Sequence, residues 1–229
     1  MMTMRHKPKV FVTGDIHGPI DLLRLVDAER LVGGDDALII CGDFGGVWYG
    51  DRRDNPVLDS YARMPFTTYF IDGNHENFDA LEKYPEVVKN GARCHKIREN
   101  LFHVMRGEIL VLNDEKYFCF GGARSIDKEF REEGVSWWKQ EEPSWAEWEN
   151  AEANLDAAGW NVDYVITHCG PTLTITKLDP KFIDDPITDK LEEWNSLMDF
   201  RKWYFGHYHM DARVGTDHIC LYHNIERVK

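Results

Sequence analysis

Short apolar runs recur along the chain, each closed by glycine or a polar turn. "VFVTGDIHG" (10–18), "DALIICGDFGG" (36–46) and "TTYFIDGNHE" (67–76) come first. "LFHVM" (101–105), "EILVL" (108–112) and "KYFCFGG" (116–122) follow without helical sequence between them. "DYVITHCGP" (163–171), "KWYFGHYH" (202–209) and "HICLYH" (218–223) complete the series. Continuous runs rich in Val, Ile, Phe and Tyr fit strands buried on both faces. Three other stretches have helical character. "IDLLRLVDAERL" (20–31) carries apolar residues at near-helical spacing. "PSWAEWENAEANLDAAG" (143–159) opens on Ser144 with Glu147 three residues later, a capping-box pattern, and stops at Gly159. "TDKLEEWNSLMDF" (188–200) is the third. Helices alternating with strands at both ends and consecutive strands in the middle predict a mixed α/β (α+β) class. No internal repeat and no Ser/Gly/Pro-rich linker divides the chain, so a single domain over 1–229 is expected.

Composition narrows the class further. No apolar run approaches membrane-span length, and "MMTMRHKPKV" lacks the apolar region of a secretory signal. Cys41, Cys94, Cys119, Cys169 and Cys220 form no CxxC pair, an odd and scattered set that suits reduced thiols in a cytoplasmic protein. The formal net charge of −13 repels phosphate backbones, which disfavours tight nucleic-acid binding. An acidic chain still takes an anion where local cations reverse the field, and metal ions do so.

Candidate chemistry sits where the apolar runs end. Alternation along an extended chain puts Asp15 and His17 on one side, between glycines that permit close approach. Such a pair suits a metal ion or an ordinary polar turn. Asp43, then Asn74 with His75, then His168, then His207 with His209 occupy the same place after four later runs. Each alone has a bland reading as a turn cap or a satisfied histidine. Five such endings together favour a metal centre, because ligands of open α/β sheets gather at the carboxyl ends of strands.

The ordered series GDIHG, GDFG, GNHE, THCGP and GHYH resembles the calcineurin-like metallophosphoesterases, from about residue 9 to residue 210. The resemblance implies a β-sandwich flanked by helices. It also implies two divalent ions, one held by Asp15, His17 and His209, the other by Asn74, His168 and His207, with Asp43 bridging. Two cations about 3.5–4 Å apart clamp a phosphoryl group and acidify a bridging water, whose hydroxide attacks phosphorus in line with the leaving oxygen. Imidazole, carboxylate and amide ligands suit Mn, Fe or Zn rather than Ca, with Mn the first choice in vitro. His75 would assist the leaving group as a general acid.

The second motif departs from the family pattern. Gly46 and Val47 stand where many members carry an acidic residue and an arginine. In the family's protein phosphatases that carboxylate orients the motif histidine and the arginine grips phosphate, so a phosphoprotein phosphatase is disfavoured. Glu76 is a candidate to orient His75 instead. In "FGGARSIDKEFR" (120–131), Arg124 is a candidate substrate contact, with a surface ion pair as its alternative. Trp145 and Trp148, one helical turn apart, are expected to pack onto the body. Trp137 and Trp138 are expected to pack likewise, with walling the pocket or stacking on a base as the alternatives.

The expected activity is therefore hydrolysis of a small phosphomono- or phosphodiester. A nuclease or polynucleotide phosphatase would need a basic surface stripe. A non-catalytic metal-binding scaffold would be expected to have lost His75 or several ligands, and all are present. Substrate identity, ester preference and oligomeric state are not written in the motifs.

Overall fold

The computed structural model describes residues 7–182 and 184–229. Thirteen strands run through these residues: β1 (Val10–Thr13), β2 (Ala37–Ile40), β3 (Thr67–Phe70), β4 (Glu86–Lys89), β5 (Ala92–Arg98), β6 (Leu101–Val104), β7 (Glu108–Leu112), β8 (Glu115–Phe120), β9 (Tyr164–Thr167), β10 (Lys202–Phe205), β11 (Ala212–Val214), β12 (His218–Cys220) and β13 (Ile225–Arg227). Six α-helices join them: α1 (Arg24–Leu31), α2 (Asn55–Ala62), α3 (Phe78–Leu81), α4 (Trp145–Ala157), α5 (Thr172–Leu178) and α6 (Pro186–Leu197).

The strands form two mixed sheets, ordered β13-β1-β2-β3-β6-β5-β4 and β11-β12-β10-β9-β8-β7. Side-chain alternation explains why their sequences are apolar throughout. Val10, Val12, Ile39 and Tyr69 meet Tyr117, Cys119, Ile166 and Tyr204 of the other sheet in a shared central core. The intervening residues face outward under helices. Phe11, Leu38, Ile40 and Phe70 pack on α1 and α2, while Phe118, Val165, Trp203 and Phe205 pack on α4 and α6. The result is a β-sandwich with helices on both outer faces, the mixed α/β class read from the sequence.

Both sheets deliver strand ends to one edge. Neighbours β1, β2 and β3 run parallel in the first sheet, and β9 and β10 run parallel in the second. The sheets are tied together there by a hydrogen bond from His168 Nδ1 to the Cys41 carbonyl, 2.7 Å long.

Local chemistry sets the other boundaries. Ser144 and Glu147 form the expected capping box on α4, and Gly159 beyond it has φ +67°. Asp185 caps α6 and Pro186 follows, so that helix starts ahead of the predicted Thr188. The first helix is shorter than its apolar spacing suggests. It starts at Arg24, and Ile20 and Leu23 lie exposed in the preceding turns. A β4–β5 hairpin escapes the run pattern, because its strand Glu86–Lys89 is largely solvated. Its turn, Asn90-Gly91, has φ of +51° and +85°, the both-positive signature of the tight turn that matches strand twist.

The tryptophans divide. Trp148 stacks on Phe120 with ring centroids 4.5 Å apart, and Trp138 is buried against Trp48. Trp145, expected to pack, is 75% exposed. Phe120, the last residue of its strand, stacks under Trp148 and not under Trp145. All five cysteines are buried free thiols. No helix among the described residues is long and apolar enough to cross a membrane.

Candidate metal centre

Two groups of side chains converge at the common strand edge. Asp15, His17 and His209 form one, and Asp43, His168 and His207 the other. Within each, the potential ligand atoms all lie within 4.8 Å of one another. Asn74 joins the second group, its Oδ1 lying 3.2 Å from His168 Nε2. Asp43 faces both, with Oδ2 3.6 Å from His17 Nε2 and Oδ1 3.4 Å from His168 Nε2. Asp15, Asp43, Asn74 and His168 form a buried floor, while His17, His75 and His207 are part-exposed and His209 is open to solvent.

The backbone is shaped to bring these groups together. Strands are extended, so side chains that must converge beyond their ends need abrupt turns. His17, Asp43, His207 and His209 all have φ between +46° and +68°, a region that costs a residue with a Cβ. Glycines supply the close approaches. A Cβ on Gly73 would lie 2.1 Å from Asp43 Oδ1, and one on Gly206 would lie 2.1 Å from Asp15 Oδ1.

A second layer fixes ring and amide orientations. His17 Nδ1 pairs with Asp21 Oδ2 at 3.0 Å, which leaves Nε2 facing the centre. His168 donates from Nδ1 to Cys41, again freeing Nε2. Asn74 Nδ2 donates to Ser125 Oγ at 3.0 Å, and that hydroxyl donates to the buried Glu141 at 2.6 Å. The amide is thereby held with its oxygen inward. Such outer partners set ligand orientation at metal sites.

The electrostatics describe a centre that wants positive charge. Asp15 Oδ2 is buried and accepts no hydrogen bond, although His209 Nε2 lies 3.2 Å away. An orphaned buried carboxylate oxygen is costly unless a cation meets it. Burial alone would depress the His168 pKa, but Asp43 and Asp15 outweigh it and push it up to about 10. The same pairing overcomes burial at Asp43 and holds its carboxyl well below the usual range. His17 is also raised, as hydrogen bonds to Asp43 and Asp21 overcome its burial. His207 is driven down to about 4 by burial and then by neighbouring His168, so it stands ready as a neutral ligand. The donor set of imidazoles, carboxylates and one amide oxygen fits a borderline divalent ion.

His75 sits beside Asn74, with its backbone N–H donating to Asp43 Oδ1 at 2.8 Å. Glu76 is not its partner. The buried Glu76 carboxylate instead accepts from the backbone N–H groups of Phe44 and Gly45, holding the second-motif turn. Arg124 is half-exposed and faces Glu142 at 3.6 Å. The arginine that reaches the centre is Arg131, whose Nη1 lies 3.2 Å from His75 Nδ1. Asp21, Ser125, Glu141 and Arg131 carry no motif. Only Asp21, four residues after His17, had a spacing that could have flagged it.

The family model for calcineurin-like phosphoesterases matches residues 8–211. Among solved structures, TT1561 of Thermus thermophilus aligns with a TM-score of 0.53 at 12% identity, covering 97% of this chain and 99% of that one. Another solved chain aligns with a TM-score of 0.51 at 14% identity, covering 98% of this chain and 99% of that one. At these identities the likeness concerns the fold alone. No curated protein matches the chain significantly in sequence.

Proposed function

The chain belongs to the calcineurin-like phosphoesterase family, whose members hydrolyse phosphoesters with divalent metal ions, and from that premise we propose a dinuclear enzyme acting on a small phosphomono- or phosphodiester. The observation that carries this reading is the two adjacent ligand groups, with Asp43 of the second also facing His17 of the first and a buried Asp15 oxygen left unsatisfied. Asp15, His17 and His209 would hold one ion, Asn74, His168 and His207 the other, and Asp43 both. Mn, Fe and Zn all suit these donors. When bound, the ions would polarise the phosphoryl group and supply a water acidic enough to attack at neutral pH.

The chain's own side chains do the rest. The buried floor excludes bulk water behind the reacting group, which strengthens every charge interaction in front of it. His168 must give up its Nε2 proton for a cation to bind. His75, placed by its backbone bond to Asp43, holds a proton at the open side where a leaving oxygen departs. The acidic surface favours a small substrate over a nucleic acid, with the ions providing the local attraction.

Mn²⁺-reconstituted protein is expected to hydrolyse bis-p-nitrophenyl phosphate or p-nitrophenyl phosphate, and the faster ester identifies the preferred class. Full metal occupancy without turnover of either ester would defeat the proposal for simple aryl esters. Ser125→Ala releases the Asn74 amide. It is expected to weaken ion affinity at the Asn74 side by about 10–100-fold, with the Asp15 side unchanged. Calorimetric Mn²⁺ titration resolves the two, and equal weakening of both sites would contradict the assignment.

A further inference from the structure

Gly46 is not merely a missing acid. A Cβ there would lie 2.4 Å from Phe44 Cε1, and Phe44 is wholly buried, stacked on Phe70 at 4.2 Å. The packed ring therefore closes that position to a carboxylate. Glu76 is committed to the backbone of Phe44 and Gly45. His75 takes its side-chain partner from the segment between β8 and α4, where Arg131 Nη1 meets Nδ1 at 3.2 Å. Arg131 is itself clamped: Nη2 donates to Asp127 Oδ2 at 2.8 Å and Nη1 to the Ser136 carbonyl at 3.3 Å. Its side chain is 20% exposed.

We infer that Arg131 is a positioning residue that holds His75 in a single tautomer, with Nδ1 accepting and the ring proton on Nε2. A guanidinium has donors and no acceptor, so the Nδ1 it contacts must offer a lone pair. The neutral ring then carries its hydrogen on Nε2. A carboxylate partner has the opposite polarity: it accepts from Nδ1 and leaves Nε2 of the neutral ring bare. His75 is thus built to donate a hydrogen bond as a neutral imidazole, toward a phosphoryl or leaving-group oxygen. It is not built to take a proton from one. Arg131 contacts Nδ1 of the ring and acts through it. A donor held in this way has its polarity fixed before substrate arrives, the usual advantage of preorganised groups.

The inference takes its catalytic meaning from the phosphoesterase reading, but the tautomer is measurable without turnover. Long-range ¹H–¹⁵N spectra of the full chain, loaded with diamagnetic Zn²⁺, report each imidazole nitrogen, and His75 is assigned by its loss in His75→Ala. The wild type is expected to show only the Nε2–H form. Arg131→Lys, which keeps a donor, should retain that form. Arg131→Met should shift His75 to a tautomer mixture and lower kcat by about 10–100-fold with a smaller change in KM. An Nδ1–H form in the wild type overturns the inference. So does an unchanged tautomer in a folded Arg131→Met protein. A wild type that holds the Nε2–H form yet turns over no phosphoester defeats the functional reading and leaves the tautomer assignment standing.

Discussion

Asp43→Asn is expected to lower phosphoester turnover by about 10³-fold or more, with loss of bound metal. Asp43 faces both ligand groups, through Oδ2 to His17 and Oδ1 to His168. The amide keeps the shape but surrenders one oxygen and the charge. The variant should also change the metal-free protein in a definite direction. The His168 pKa is raised to about 10, against a cost of burial, chiefly by Asp43. A raised histidine contributes stability that is complete below its unfolded value near 6.5 and is lost as pH climbs through about 10. Metal-free wild type should therefore lose thermal stability across that alkaline window, and Asp43→Asn should show a flatter profile. Metal analysis, turnover and melts at several pH values check the three parts. A variant that keeps two ions and stays within about tenfold of wild-type turnover would remove Asp43 from the centre of the mechanism.

His75→Ala is expected to reduce kcat by about 10²–10⁴-fold while leaving the ion count intact. The contact between residue 75 and Asp43 runs through the backbone N–H, 2.8 Å from Oδ1, and alanine retains it. The ring belongs to neither ligand group. Its removal should therefore be felt in the chemical step. Fewer ions in the alanine variant would recast the ring as a ligand, and unchanged kcat would strip it of a catalytic part.

The seven side chains picked out at strand ends do come together, and the reason they were visible is geometric. Strands buried on both faces read as unbroken apolar runs, so the polar residue closing each run stands out. Features that depend on loop conformation stood out far less. Arg124 and Arg131 lie seven residues apart in one connection, and nothing in their local sequence says which meets His75. The answer lies in a short 3₁₀ turn at Lys128–Phe130 and the Asp127 clamp. Ser125 and Glu141 are ordinary loop residues until folding buries them behind Asn74. The β4–β5 hairpin is a different kind of omission, since Asn90-Gly91 announced it and only the weak hydrophobicity of its first strand concealed it. Trp145 shows the limit of helical spacing: it stands three residues from the packed Trp148 and is nevertheless exposed.

The left-handed backbone at His17, Asp43, His207 and His209 has a historical consequence. Each such residue burdens the folded chain by about 1–3 kcal/mol, and glycine or asparagine would relieve most of it. A descendant that no longer used the ions would gain robustness by drifting at these four places first.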